Sequence, residues 1–124
     1  MEGRTRLVMM DAEQVVGSGG WTEVYTLAGN RPFLHSFVVQ LNTNKMLLRV
    51  TIDDEVTVDA DLEVLSGDFQ IAKLLGATLT SYHSKKWVFQ PPVAQWSNGG
   101  FKIELRSKSG NKRLERGFVV WGEK

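Results

Sequence analysis

The sequence predicts an all-β fold, an antiparallel β-sandwich or jelly roll with at most one short helix. Three observations carry that prediction. Phe101, Ile103 and Leu105 alternate with Lys102, Glu104 and Arg106, the period of a half-buried strand. Short apolar segments rich in aromatic and β-branched residues recur along the chain, roughly seven to nine of them. Turn residues separate them, as at Asn42-Thr43-Asn44, Asp53-Asp54 and Ser109-Gly110-Asn111.

A chain of 124 residues suggests one domain with a core of its own. We expect residues 21–124 to form a single β-sandwich domain. Residues 1–20 read as an N-terminal arm or edge strand, closed by the glycine hinge Gly17-Ser18-Gly19-Gly20. The chain has no cysteine, which excludes disulfides, thiolate catalysis and cysteine-bound zinc. Its opening residues lack the apolar core of a signal peptide, and no stretch approaches the length of a membrane span. Synthesis in a cytoplasm is the expectation.

The elements follow in order. Trp21 to Leu27 reads as a strand. Phe33 to Leu41 reads as a second, with Phe33, His35, Phe37, Val39 and Leu41 on one face. Met46 to Ile52 is its expected hairpin partner, pairing Leu41 with Met46, Val39 with Leu48 and Phe37 with Val50. A three-residue loop at Asp53-Asp54-Glu55 pairs Ile52 with Val56 and Val50 with Val58, completing a meander. Between Asp61 and Ala77 a short helix or turn is favoured, with Asp68 as its cap and Gly76 at its end, although Phe69-Gln70-Ile71 reads equally as a strand. Leu79–Tyr82 and Lys86–Gln90 read as short strands, and 93–100 as a loop carrying Trp96. A closing hairpin is expected from Phe101 to Trp121, turning at Gly110-Asn111 and pairing Phe101 with Val120, Ile103 with Phe118 and Arg106 with Glu115. That register sets Lys108 against Arg113 and leaves Arg116 on the apolar face. Arg116 is therefore expected to meet a carboxylate or a carbonyl.

Charge is unevenly placed. Residues 1–62 hold five basic and nine acidic side chains, a net −4, and residues 63–124 hold ten basic and five acidic, a net +5. Opposed halves suit head-to-tail contact between identical subunits, and Arg113, Arg116, Asp53 and Asp54 are the candidate interface residues. Solvated strand faces and loops explain the same pattern.

Signals of chemistry are thin. His35 and His83 lack metal-ligand spacing, and His35 reads as a core or rim residue. The acidic stretch Asp53, Asp54, Glu55, Asp59, Asp61 lacks the glycine and spacing of a calcium loop, and reads as a solvated turn. Nothing sets two carboxylates across a cleft as a glycosidase would need. The chain has no Gly-x-Ser-x-Gly and no phosphate loop. No enzyme, cofactor or metal is expected. Among the tryptophans, Trp21, Trp87 and Trp121 read as core or contact groups. Trp96, with Tyr82, is the candidate stacking platform for a glycan. The basic stretch from Lys108 to Arg116 has no interleaved aromatics, which argues against a dedicated nucleic-acid surface.

One resemblance adds to this. The order Phe33 to Leu41, then Met46-Leu47-Leu48-Arg49-Val50-Thr51-Ile52-Asp53, a proline-bearing loop, Phe101-Lys102-Ile103-Glu104-Leu105-Arg106-Ser107 and Gly117-Phe118-Val119-Val120-Trp121 resembles small β-sandwich structural proteins of tailed bacteriophage virions. It spans residues 33–121. It implies a non-enzymatic virion component of the tail, neck or capsid surface. Such a component is oligomeric, binds copies of itself and other virion proteins, and brings no catalytic residue.

Overall fold

The computed structural model describes residues 5–29, 31–66, 77–81, 85–90 and 95–123. In chain order their elements are β1 (Thr5–Met9), β2 (Gln14–Val16), β3 (Thr22–Ala28), β4 (Pro32–Leu41), β5 (Met46–Ile52), β6 (Glu55–Asp61), α1 (Leu62–Ser66), β7 (Ala77–Ser81), β8 (Lys86–Phe89), β9 (Gln95–Trp96), β10 (Gly100–Ser107) and β11 (Lys112–Glu123). Two antiparallel sheets face each other. The larger runs β1-β11-β4-β8-β7, with β2 also on β11 and β9 also on β4. The smaller runs β3-β10-β5-β6. This is the predicted all-β sandwich.

Strand alternation builds the core between them. Val50, Leu48, Ile103 and Leu105 point in from the smaller sheet. Leu34, Val39, Trp87, Leu114 and Val119 point in from the larger, and all nine are at most 2% exposed. At about 25 cal/mol per Å² of apolar surface removed from water, this shared interior is the main favourable term of folding.

Neither expected long hairpin exists. β4 hydrogen-bonds β11, β8 and β9, whereas β5 hydrogen-bonds β10 and β6. β10 and β11 likewise lie in different sheets. Residues 42–45 and 108–111 therefore cross the sandwich rather than close a ladder. The apolar residues proposed as partners in β4 and β5 face the core from opposite sheets, whereas Phe118 and Val120, expected to face Ile103 and Phe101, lie on the outer face of the larger sheet. Arg106 consequently does not face Glu115; its Nε donates to the Ser18 carbonyl at 3.1 Å. Lys108 does not oppose Arg113 either. Its Nζ meets Asp61 Oδ2 at 2.8 Å and Glu63 Oε1 at 2.9 Å.

The β5–β6 hairpin is real, with a shorter loop than expected. Asp53 and Asp54 both take positive φ, 50° and 65°, as a two-residue hairpin turn requires. Ile52 thus pairs Glu55, and Thr51 pairs Val56. A bulge between Val50 and Thr51 restores the expected Val50–Val58 pair. A second bulge corrects β4. Val120 pairs Ser36 and Trp121 pairs Leu34, so His35 is the extra residue. The alternation slips there: Leu34 and Phe37 are buried, His35 is exposed, and Phe33 turns to the outer face.

A short helix, α1, is capped by Asp61. Asp61 Oδ1 accepts from the backbone N–H of Glu63 at 3.0 Å and of Val64 at 3.4 Å. Asp68, Gly76 and the apolar positions between them lie outside the described residues. β1 and β2 together form one edge, antiparallel to β11. Between them Met10 turns inward, its N–H donating to the Gly117 carbonyl at 2.9 Å. Gly117 makes room for this. A Cβ there would lie 2.6 Å from Met10 Sδ and 2.9 Å from the Val38 carbonyl oxygen.

The buried indoles of Trp87 and Trp121 hold Nε1 groups without a hydrogen-bond partner. An orphaned N–H is a cost, whereas the ring is a large packing gain. Trp87→Phe, which removes the N–H and keeps most of the ring volume, should cost under about 1.5 kcal/mol. Trp87→Ala should cost about 3–5 kcal/mol. Denaturant unfolding of the two variants checks this, and equal losses would be the wrong outcome.

Candidate functional site

The sequence's candidate interface residues fall at opposite ends of the sandwich. Asp53 and Asp54 sit at the β5–β6 turn, beside the start of β10. Asp53 N–H donates to the Gly100 carbonyl at 3.1 Å. Arg113 lies near the start of β11, where its backbone N–H donates to Asn42 Oδ1 at 2.9 Å. Arg116 pairs in register with Gln40 on β4. One chain does not bring the two pairs together.

Asp53 works within the chain. Its Oδ1 accepts from Gly99 N–H at 2.6 Å and Asn98 N–H at 3.0 Å, and its Oδ2 from Asn98 N–H at 2.9 Å. Those amides, Asn98 first, hold its carboxyl below the usual carboxylate range. The carboxylate pins the loop before β10 to the β5–β6 turn. Gly100 follows with φ 122°, where a Cβ would strike the Leu27 carbonyl. Asp54 is exposed, and among the described residues it has no partner.

Arg113 is exposed and reaches Glu13 Oε2 only at 3.7 Å. Arg116 is exposed and, among the described residues, makes no hydrogen bond or ion pair. The expected carboxylate or carbonyl partner is absent among the described residues. Arg116 shares a face with Phe118 and Val120, as expected, but that face is the exterior of the larger sheet rather than one side of a closing hairpin. Among the described residues, no three His, Asp or Glu side chains converge on one point. His35 is a rim residue with Nδ1 2.9 Å from Ser36 Oγ.

Trp96 is not in a free loop. β9 pairs Trp96 with Phe33 and Gln95 with Leu34. The ring is 53% exposed and sits 4.6 Å from the Phe33 ring. Ser97 fixes the approach, its Oγ donating to the Pro32 carbonyl at 2.6 Å. Tyr82 and His83 lie outside the described residues. Trp87 and Trp121 are core groups, as read from the sequence, and Trp21 stacks on Arg49.

The feature that sequence reasoning missed is the contrast between the two outer faces. On the smaller sheet, register sets Glu23, Glu104, Arg49 and Asp59 side by side. Arg49 donates to both Glu104 carboxylate oxygens at 3.2 and 3.3 Å, and Trp21 lies 4.2 Å over its guanidinium. That face is charged, paired at its middle and partly roofed. The larger sheet's outer face is apolar. One cross-strand row reads Met9, Phe118, Val38, Val88, and the next reads Leu7, Val120, Ser36. Leu7 is 65% exposed and Met9 61%. A third row sets Gly122, Phe33 and Trp96 at one end, and a fourth sets Arg116, Gln40 and Lys86 at the other. The signal for this face was in the sequence. Leu7-Val8-Met9-Met10, Phe37-Val38-Val39, Trp87-Val88-Phe89 and Phe118-Val119-Val120-Trp121 are unbroken apolar runs, the mark of strands buried on both faces.

No protein-family profile matches the chain, and no curated protein matches it. Solved structures similar to it include latent PorU from Porphyromonas gingivalis, at 10% identity and TM-score 0.47 over 100% of this chain and 13% of that one. Infectious bursal disease virus VP2, from a subviral particle, is 11% identical with TM-score 0.40, over 99% of this chain and 37% of the other. The Aeromonas sobria serine protease complex with its chaperone is 10% identical with TM-score 0.34, over 96% and 27%. These neighbours, a viral capsid protein and bacterial proteins, are all of low identity. The chain spans little more than a third of their length at most.

The Asp53 clamp has a pH signature. A carboxyl whose folded pKa is depressed contributes stability above its unfolded pKa and loses it as pH falls through the folded value. The amide resonances of Asn98 and Gly99 should therefore stay fixed from neutral pH down through the ordinary carboxylate range, and move only below it. Asp53→Ala should abolish that titration and speed hydrogen exchange at both amides. Unchanged exchange would show that the clamp holds nothing.

Proposed function

We propose that this protein is a non-enzymatic structural component of a tailed-phage virion, placed at the tail, neck or capsid surface, and that it acts by assembly. Its partners are copies of itself and other virion proteins, and it carries no cofactor. The single observation that supports this reading is the apolar outer face of the larger sheet, which none of the described residues covers. A contiguous apolar patch several strands wide marks a contact surface. β1 places Leu7 and Met9 on that patch, so the N-terminal strand belongs to the contact. The sequence resemblance to tailed-phage β-sandwich proteins supplies the setting.

The gene should lie among portal, tail or capsid genes. The purified protein should co-sediment with virion subassemblies that lack it. A locus without such neighbours, together with a protein that binds no virion component, would sink the proposal.

A second reading rests on Trp96. Its exposed ring beside Phe33 forms a two-ring ledge of the kind that stacks on sugar faces. A glycan-binding role in adhesion to a host surface predicts binding on a glycan array that Trp96→Ala reduces at least tenfold. Absence of binding to any glycan removes this reading.

A further inference from the structure

We propose that the apolar outer face of the larger sheet is the contact of a two-fold homodimer, with the strands of the two copies running antiparallel across it. This rests on the assembly reading above and names the partner at that surface as a second copy of this chain.

The first argument is the layout of the face, which is complementary to itself. Its middle is apolar: Met9, Phe118 and Val38 in one row, Leu7 and Val120 in the next. One end is aromatic, with Phe33 and Trp96. The other end is cationic, with Arg116 and Lys86 flanking Gln40 and with Arg113 beyond. Two in-plane two-fold axes bring such a face onto itself. An axis along the strands stacks the cationic end of each copy on that of the other, which like charges oppose. An axis across the strands exchanges the ends. It carries Arg116 of each copy to the Phe33–Trp96 ledge of the other, where a guanidinium is attracted to an aromatic face. The axis then passes near Phe118 and Val120, and the apolar rows meet in the middle. Arg116 has no partner among the described residues of its own chain, so it is free to make this contact.

The second argument is area. A patch four strands wide and six residues long measures roughly 20 Å by 20 Å in projection. Two facing patches, corrugated by side chains, bury on the order of 1,000 Å², the lower limit for a specific interface. The contact is thus a concentration-dependent dimer. The smaller sheet's outer face offers no equivalent, because it is charged, with Arg49 and Glu104 paired at its middle and Trp21 over the guanidinium.

Sedimentation equilibrium on the full chain tests this. The wild type should show a reversible monomer–dimer equilibrium. Leu7→Glu, at a position already 65% exposed, should keep the native circular dichroism spectrum and weaken dimerisation at least tenfold. Arg116→Glu should also weaken it; a tighter dimer would overturn the antiparallel arrangement by pointing to the other axis. The chain has no natural cysteine, so single thiols can map the contact. Val120→Cys should be joined into dimers by a thiol cross-linker matching the ~10 Å spacing of stacked sheets. Val56→Cys, on the outer face of the smaller sheet, should stay monomeric. Cross-linking through Val56→Cys alone, or an open-ended ladder of higher species, overturns the dimer and leaves assembly by another surface standing. A strict monomer that still binds virion subassemblies overturns the dimer and leaves the virion role standing. A strict monomer that binds none removes both.

Discussion

The structure depends on one constraint: two sheets must turn their apolar inner faces to each other at a spacing that closes with no void. Four strands supply most of that interior, β4 and β11 from one side and β5 and β10 from the other. The two four-residue connections that join them, 42–45 and 108–111, leap from sheet to sheet. Four extended residues reach about 13 Å, enough to cross the ~10 Å between packed sheets. Each crossing is secured by polar contacts outside the core. Lys108 is held by Asp61 and Glu63 at one end. At the other, Asn42 Oδ1 accepts from the Arg113 N–H and the Lys45 carbonyl from the Lys108 N–H, while at the far end of the sandwich Asp53 holds the backbone before β10. The acidic stretch read as a solvated turn is thus divided between two local tasks, a loop clamp and a helix cap with its lysine.

The two outer faces solve the problem of exposure differently. The smaller sheet spends charged residues there and pairs the central ones, Arg49 and Glu104, within the chain. Glu104 is 4% exposed, which a carboxylate tolerates only when its oxygens are bonded. Arg49 supplies both bonds, and Trp21 shields the pair from water. The larger sheet spends Phe118, Val120, Val38 and Leu7 on its exterior and provides no shield among the described residues. Among the described residues one exterior of the sandwich is dressed and the other is bare, so the two faces differ in what they can bind.

The sequence made the fold class legible because period-two patterning reports which side of a strand faces the core. It does not report which strand supplies the hydrogen bonds. Phe37-Val39-Leu41 and Met46-Leu48-Val50 look alike as a hairpin and as an arch, since both arrangements bring apolar side chains together. The four-residue connections fit either. Bulges were equally hidden: nothing at His35 announces the extra residue that sends Phe33 outward. The Asp53-Asp54 turn was readable in hindsight, because aspartate is among the few residues that tolerate positive φ. Of the candidate site, Trp96 was rightly singled out as exposed, and Trp87 and Trp121 as core. Arg116 does share a face with Phe118 and Val120, but the hairpin register did not show that this face is an exterior. The apolar exterior was visible as unbroken apolar runs in four segments, against the strict alternation of β10.

The pairing of β1 with β11 joins the two ends of the chain, Leu7 beside Val120. A strand whose only partner lies nearly the whole chain away cannot settle during synthesis until that partner has left the ribosome. For that interval Leu7, Val8 and Met9 have no ladder to join, and β4 lacks its longest neighbour, β11. Such long-range pairing makes folding slow and leaves sticky segments waiting. The break at Met10 limits that hazard, because it keeps the waiting edge to two short pieces rather than one long template.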